Sequence, residues 1–360
     1  MQKEKKIYYI AELNLPSKSA YSIHVMKMCE AFSKLNYDIN LFVIKSKNIN
    51  QINKIYNINY KFKIFSIFND FILLNFVLRI IFSLKILYKK KFEKESIFLS
   101  RSIIFSLLAC LLKKKIILEL HHEITGFSKI MFLIFKNFNL IKDLKYVFLS
   151  KNLTQIYKIK KKNYIVLDDA ADLRNFKNIT SKKLKKTCVY IGSFFEGKGI
   201  EQIFRLAKLN KKIFFHVYGE KKYLRNFNTE KNVRIFDYVN YSKIPKVLSR
   251  YEVALMPYQS KVKGRSSIWL EKYMSPLKMF DYLASKMIII ASDLDVYKHI
   301  LKNNFNCKLV EVNNDKKWSR TLNIVFENKK INNSLKKKAY KTAQKYTWDK
   351  RCQKIIHFSR

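Results

Sequence analysis

The chain opens on KIYYIAEL, an apolar run of strand length. From Ser22 to Leu35 the apolar residues recur at helical spacing, as on an amphipathic helix. DINLFVI and YKFKIFSI repeat the strand pattern, and SIFLS, KIILEL and KYVFLS follow, each separated by a helix-length segment. Continuously apolar strands alternating with helices predict a parallel sheet covered on both faces. The polar run KNITSKKLKKT interrupts this order and reads as a linker. A second series begins at TCVYIG and continues through KKIFFHVYG, VRIFDYV, EVALMPY and KMIIIASD. From about Asn332 onward the pattern predicts helices with a strongly basic face. The expected architecture is α/β, with two Rossmann-like, doubly wound domains spanning residues 1–177 and 178–344. In such sheets ligands sit beyond the carboxyl ends of the strands, so functional motifs are expected just after them.

One segment, Phe71 to Tyr88, is apolar enough to be compared with a membrane span. Asn75, Arg79 and Ser83 fall at i, i+4 and i+8 on one helical stripe, and a charge at bilayer depth is costly. A helix packed on the sheet is the expectation, with a place in the membrane interface as the alternative.

Composition changes the picture in two ways. The 360 residues suffice for two domains, and 72 Lys and Arg against 27 Asp and Glu leave a formal charge of +45. Codon bias toward lysine and asparagine accounts for part of that excess. A field of this sign attracts nucleic acid, anionic lipid or phosphate-bearing small molecules, and each basic residue near an anionic membrane is worth about 1 kcal/mol. Cys29, Cys110, Cys188, Cys307 and Cys352 are scattered and odd in number, without metal-ligand spacing. With a start that runs straight into a strand, this points to a reduced, cytoplasmic protein without a metal.

Two motifs carry chemistry. Gly192-Ser-Phe-Phe-Glu-Gly-Lys-Gly lies between a strand and a helix, where a glycine turn lets backbone N–H groups approach a phosphate. Gly192, Gly197 and Lys198 have the spacing of a P-loop, but Gly199 stands where Ser or Thr must ligate Mg²⁺. A phosphate-proximal Lys198 is expected rather than an NTPase. In Met274-Ser-Pro-Leu-Lys-Met-Phe-Asp-Tyr-Leu-Ala, Ser275 has the chemistry of an N-cap and Pro276 that of a first helical residue. Lys278 in the first turn opposes the helix dipole unless an anion binds there. Asp281 is placed to accept sugar hydroxyls, or else to pair with Lys278 at i, i+3.

Together these segments make the sequence resemble the retaining glycosyltransferases of family 4, of bacterial surface-polysaccharide type. The likeness rests on Ser19-Ala-Tyr-Ser-Ile-His-Val, Glu119-Leu-His-His-Glu, Val166-Leu-Asp-Asp-Ala-Ala-Asp-Leu, Tyr190-Ile-Gly, Met256-Pro-Tyr, the Ser275 motif, Ala291-Ser-Asp-Leu and Tyr346-Thr-Trp-Asp. The resemblance implies the GT-B fold, with two domains facing across a cleft and a C-terminal helix at about 345–360 packed on the first. It implies that Gly192, Ser193, Lys198, Gly219, Ser275, Pro276, Leu277 and Lys278 surround the donor diphosphate, with Asp281 at the nucleotide ribose. His121 or His122 would lie near the transferring sugar, and Ser19 and His24 on the acceptor side. No metal or other cofactor is implied. The partners would be a nucleotide-sugar donor, a glycan or lipid-linked acceptor and an anionic membrane surface, placing the enzyme on the cytoplasmic face of the inner membrane.

The sequence departs from the family at several places. Tyr273 and Asp281 stand where two glutamates are usual, and Asp281 is shorter than Glu by about 1.5 Å. Ser193 stands for an arginine, Lys18-Ser19-Ala20 for a Gly-Gly loop and Lys286 for a glycine. A sugar-nucleotide epimerase shares the fold, and a basic non-catalytic nucleic-acid-binding protein would share the charge, although no recognisable nucleic-acid-binding module is present.

Overall fold

The structure is a computed structural model and describes residues 5–89, 92–93, 96–177, 179–224, 230–264 and 268–360. The chain forms two compact units, residues 1–168 with 348–360, and residues 169–347. The boundary expected at residue 178 lies outside the described residues. At the start of the second unit Ser275 Oγ accepts from the Asp169 N–H, and Tyr346 O from that of Ala171.

In unit 1 the chain runs β1 (Lys6–Ile10), β2 (Asn14–Leu15), α1 (Ala20–Lys34), β3 (Asp38–Val43), β4 (Lys45–Ser46) and α2 (Ile49–Tyr56). It continues through β5 (Lys63–Ser66), α3 (Phe76–Lys89), β6 (Ile97–Ser100), α4 (Ile103–Leu111) and β7 (Ile116–Leu120). Then come α5 (Gly126–Asn137), β8 (Lys145–Phe148), α6 (Lys151–Tyr157) and β9 (Tyr164–Val166). Seven strands form a parallel sheet in the order β5-β3-β1-β6-β7-β8-β9. The order reverses beside β1, a switch point of the kind that opens a crevice at the carboxyl edge of a doubly wound sheet.

Unit 2 holds β10 (Thr187–Ile191), α7 (Ile200–Leu209), β11 (Phe214–Tyr218), β12 (Val233–Phe236), α8 (Ile244–Leu248) and β13 (Val253–Met256). It closes with α9 (Leu277–Ala284), β14 (Ile288–Ser292), β15 (Lys308–Val310), α10 (Asp315–Glu327) and α11 (Lys329–Ala343). Its parallel sheet has the order β12-β11-β10-β13-β14-β15. Alternate residues of the same strands feed different cores: Val189, Ala254 and Ile289 enter one, Cys188, Val253 and Ile288 the other. That is the period-2 geometry of a strand buried on both faces.

The last helix, α12 (Trp348–Ser359), belongs to unit 1, where it packs against α1. The polar stripe beginning at Asn75 finds partners within unit 1. Asn75 caps the helix through the Leu78 N–H, Arg79 reaches Glu12 at 3.3 Å, and buried Ser83 donates to Arg79 O. Among the described residues no helix is long and apolar enough to cross a membrane.

Candidate active site

Two clusters of buried charge lie at the places the sequence singled out, one in each unit. In unit 1, Glu119 on β7 is the hub. Its side chain is fully buried, and Oε1 meets His24 Nε2 and His121 Nε2, each at 3.0 Å, together with Arg351 Nη2. The Tyr9 hydroxyl donates to Oε2 at 3.2 Å, and Arg351 also donates to Leu167 O. Burial pushes the Glu119 carboxyl up, but His24, Arg351 and His121 outweigh it and hold it well below the usual carboxylate range. Trp348 completes the cluster with its ring edge-on to His24 at 5.1 Å.

His121 is pushed down to about 3 by burial, with the Arg101 charge adding to it, so the imidazole is neutral near pH 7. His122 is partly buried, its Nδ1 donates to Glu123 O at 2.8 Å, and burial lowers its pKa. His24 presents no surface to an acceptor: its side chain is 1% exposed and engaged by Glu119. Ser19 acts as the N-cap of α1, accepting from the Ser22 N–H. Ser19 is partly buried and His24 buried, and each side chain has a partner within unit 1.

His24, Glu119 and His121 also offer ligand atoms within 4.8 Å of one another. That departs from the sequence reading of no metal-ligand cluster, which had only spacing along the chain to go by. The Arg351 guanidinium already sits on the same carboxylate oxygen, so a dication there would meet a fixed positive charge. Sequence reasoning missed Arg351, which lies 232 positions from Glu119. It also missed Arg101, just beyond β6, whose guanidinium lies 3.9 Å from the Tyr21 ring centroid and whose buried Nη1 has no hydrogen-bond partner among the described residues. A polar residue directly after an apolar strand was the signal available for it.

In unit 2 the balance is reversed. Lys278 Nζ lies 3.6 Å from the Tyr190 ring centroid and 5.3 Å from that of Tyr258, while Lys198 Nζ is 4.9 Å from the Tyr258 ring. Lys278 Nζ is buried and has no hydrogen-bond partner among the described residues. Burial takes Lys198 down to about 8, and burial with the neighbouring Lys198 charge takes Lys278 well below the usual lysine range. The i, i+3 pair with Asp281 is not formed. Asp281 is buried and accepts from the Tyr241 hydroxyl at 3.3 Å.

The backbone explains how these lysines are held. The Tyr282 hydroxyl accepts from the Ile191 N–H and ties α9 to the end of β10. A Cβ on Gly192 would lie 2.3 Å from Lys278 Nζ, so the glycine makes room for the ammonium. Gly197 (φ 78°) and Gly199 (φ 85°) also answer a packing need. A Cβ there would strike Lys261 O at 1.8 Å and Pro257 O at 1.9 Å, so these glycines admit the chain after β13. Gly219 likewise admits Gly192 O and the Phe194 ring, and Ser193 O accepts from the Tyr190 hydroxyl.

Ser275 is not the N-cap. That place is taken by Pro276, because the Ser275 hydroxyl is spent on the Asp169 N–H at 3.0 Å. Leu277 and Lys278 then form the first turn of α9, whose free N–H groups suit an anion. Tyr273 is buried. Lys286, in the place of a usual glycine, adopts φ 54° just after α9.

Residues 172–342 match the family described as glycosyl transferases group 1. No curated protein sequence gives a significant match. Among solved structures the chain is similar to a glycosyltransferase from Rickettsia africae, at 14% identity and TM-score 0.73 over 99% of this chain and 98% of that one. It is also similar to a TarM variant of S. aureus solved with Fondaparinux, alpha-GlcNAc-glycerol and UDP, at 14% identity and TM-score 0.72, covering 99% and 100%. HepE of Anabaena, solved with UDP and glucose, matches at 10% identity and TM-score 0.70, covering 98% and 99%. The group 1 match over residues 172–342 makes the chain a glycosyltransferase, and the likeness to solved structures gives it the GT-B fold.

Proposed function

We propose that the enzyme transfers a sugar, with retention at the anomeric carbon, from a nucleoside-diphosphate donor to a glycan or lipid-linked acceptor of the cell envelope. The observation that carries this reading is Lys278 Nζ, a buried amine without a hydrogen-bond partner among the described residues, set beside Gly192 and close to Lys198. Two lysines whose charged forms are disfavoured by burial gain most from a dianionic ligand. As the anomeric C–O bond to the diphosphate breaks, charge grows on the departing oxygens, and preorganised ammonium groups stabilise it. The lysines supply that charge, so the proposed reaction needs no metal.

Gly192, Ser193, Gly219 and the segment Ser275 to Lys278 shape the proposed diphosphate site, and Asp281 with Tyr241 is assigned to the ribose. Neutral His121 or His122 serves as a hydrogen-bonding group at the transferring sugar, not as a cationic acid. On the acceptor side Arg101, set over the Tyr21 ring, joins Ser19 and His24. Its Nη1, without a hydrogen-bond partner among the described residues, suits an anionic group of the acceptor. The same reading places the enzyme at the cytoplasmic surface of an anionic membrane.

Thermal unfolding with UDP, GDP and CDP and their sugars tests it. One base class should stabilise the protein by about 2.7 kcal/mol at a hundred times its Kd. That response should be lost in Lys278→Met. No response to any nucleotide would overturn the reading, and conversion of the donor without an acceptor would favour an epimerase.

A further inference from the structure

Helices whose outer side meets water ordinarily carry polar residues there, and on two helices of unit 1 that side is largely apolar. On α3, Phe82 and Ile86 point inward and are fully buried, while Val77, Ile81, Leu84 and Tyr88 recur at i, i+4, i+7 and i+11 and are 37–94% exposed. On α5, Phe132 and Phe135 are buried, while Phe127, Ile130 and Ile134, with Phe138 just beyond, form a second exposed apolar stripe. The stripes adjoin, since the Phe76 and Phe127 rings lie 5.5 Å apart. Between them α4 packs against both helices and ends on exposed Leu111 and Leu112.

An exposed patch of this extent marks a binding surface, and its charge selects the occupant. The sequences of α3, α4 and α5 contain no acidic residue, while exposed Lys85 and Lys129 stand among the apolar side chains. Apolar side chains flanked by lysines, on helices that do not span, are the features of an interfacial surface. We propose that the outer face of α3 and α5 docks the protein on the surface of an anionic lipid bilayer. The choice of occupant rests on the reading of a membrane-side acceptor and deepens it. Helix α5 starts four residues after His122, so a docked face would bring the lipid surface close to the histidines.

Flotation of the full-length protein with vesicles of phosphatidylcholine, with and without phosphatidylglycerol, tests the proposal. Wild type should float with the anionic vesicles. Leu84→Asp with Ile130→Asp should lower that binding by roughly tenfold or more, while Ile324→Asp, an exposed position of unit 2, should leave it unchanged. Leu84→Gln with Ile130→Gln repeats the test should the aspartates disturb folding. Failure of wild type to bind anionic vesicles, or undiminished binding by both double variants, would overturn the proposal. Self-association lost in the variants, with no vesicle binding by wild type, would overturn it in favour of a second copy. The nucleotide response of the same samples is read separately, so a failed functional reading leaves the docking result standing.

Discussion

The two units bury charge in opposite ways. Around Glu119 one carboxylate is met by His24, His121, Arg351 and the Tyr9 hydroxyl, so the cluster is closed and its charge answered within the fold. Around Gly192 two lysines approach each other against aromatic walls, and Lys278 Nζ has no hydrogen-bond partner among the described residues. A buried charge that is fully hydrogen-bonded holds structure together, whereas one left unanswered is strained until a ligand answers it. The first cluster is therefore expected to govern stability and the second to govern binding.

Breaking the closed cluster should have the largest effect. Glu119→Gln leaves the surrounding cations unanswered and should lower stability by about 3–5 kcal/mol, measured by urea unfolding. The same cluster sets acid sensitivity. The Glu119 pKa is lowered on folding, so its contribution is present above the unfolded carboxylate range and lost as pH falls. His121, held to about 3, adds a penalty once the unfolded histidine begins to take up protons below about 6.5. Both act in one direction, so stability should fall steadily on acidification, and less steeply in Glu119→Gln.

Lys278→Met should act with the opposite sign on stability and a smaller magnitude on binding. Removing the unanswered amine should leave the melting temperature unchanged or raised. Nucleoside-diphosphate affinity should fall by about 1.5–3 kcal/mol, roughly ten- to hundredfold, as read by calorimetry. A variant that loses stability and keeps affinity would dissolve the contrast between the clusters.

The pH dependence of binding sharpens it further. With Lys198 at about 8 in the free protein, raising the pH through that value removes its charge, and affinity should decline by up to about tenfold per pH unit. A bound dianion raises both lysine pKa values, so binding should take up protons. Calorimetry in two buffers of different ionisation enthalpy measures that uptake, and proton release would contradict the proposed site.

The smallest effect is expected at Lys286, whose left-handed backbone costs about 1–2 kcal/mol for a residue with a side chain. Lys286→Gly should raise stability by about 1 kcal/mol, part of the relief being offset by loss of the contact of its ammonium with the Tyr340 ring. Nucleotide affinity should not move.

How far the site was legible in the sequence differs between the clusters for a physical reason. Lys198 and Lys278 each sit in a local motif, a glycine turn or a helix start after Ser-Pro, and both were found there. The Glu119 hub joins residues from β1, α1, β7 and α12, and no local pattern announces that meeting. The close approach at Gly197 and Gly199 was not legible for the same reason, because what each admits is a carbonyl more than 55 residues away. Strand β15 escaped notice because only three residues form it, between polar neighbours.

By itself the sequence determined the two parallel α/β sheets, the place of the motifs after their strands and the amphipathic spacing of Phe71 to Tyr88. Those follow from periodicity and local backbone chemistry, which a linear chain carries in full. Only the tertiary structure decided that Arg79 of α3 meets Glu12, that Ser275 bonds to Asp169 rather than capping α9, and that His24 is sealed against Glu119. Each of these depends on which distant group arrives to satisfy a polar atom, and that is settled by packing rather than by spacing along the chain.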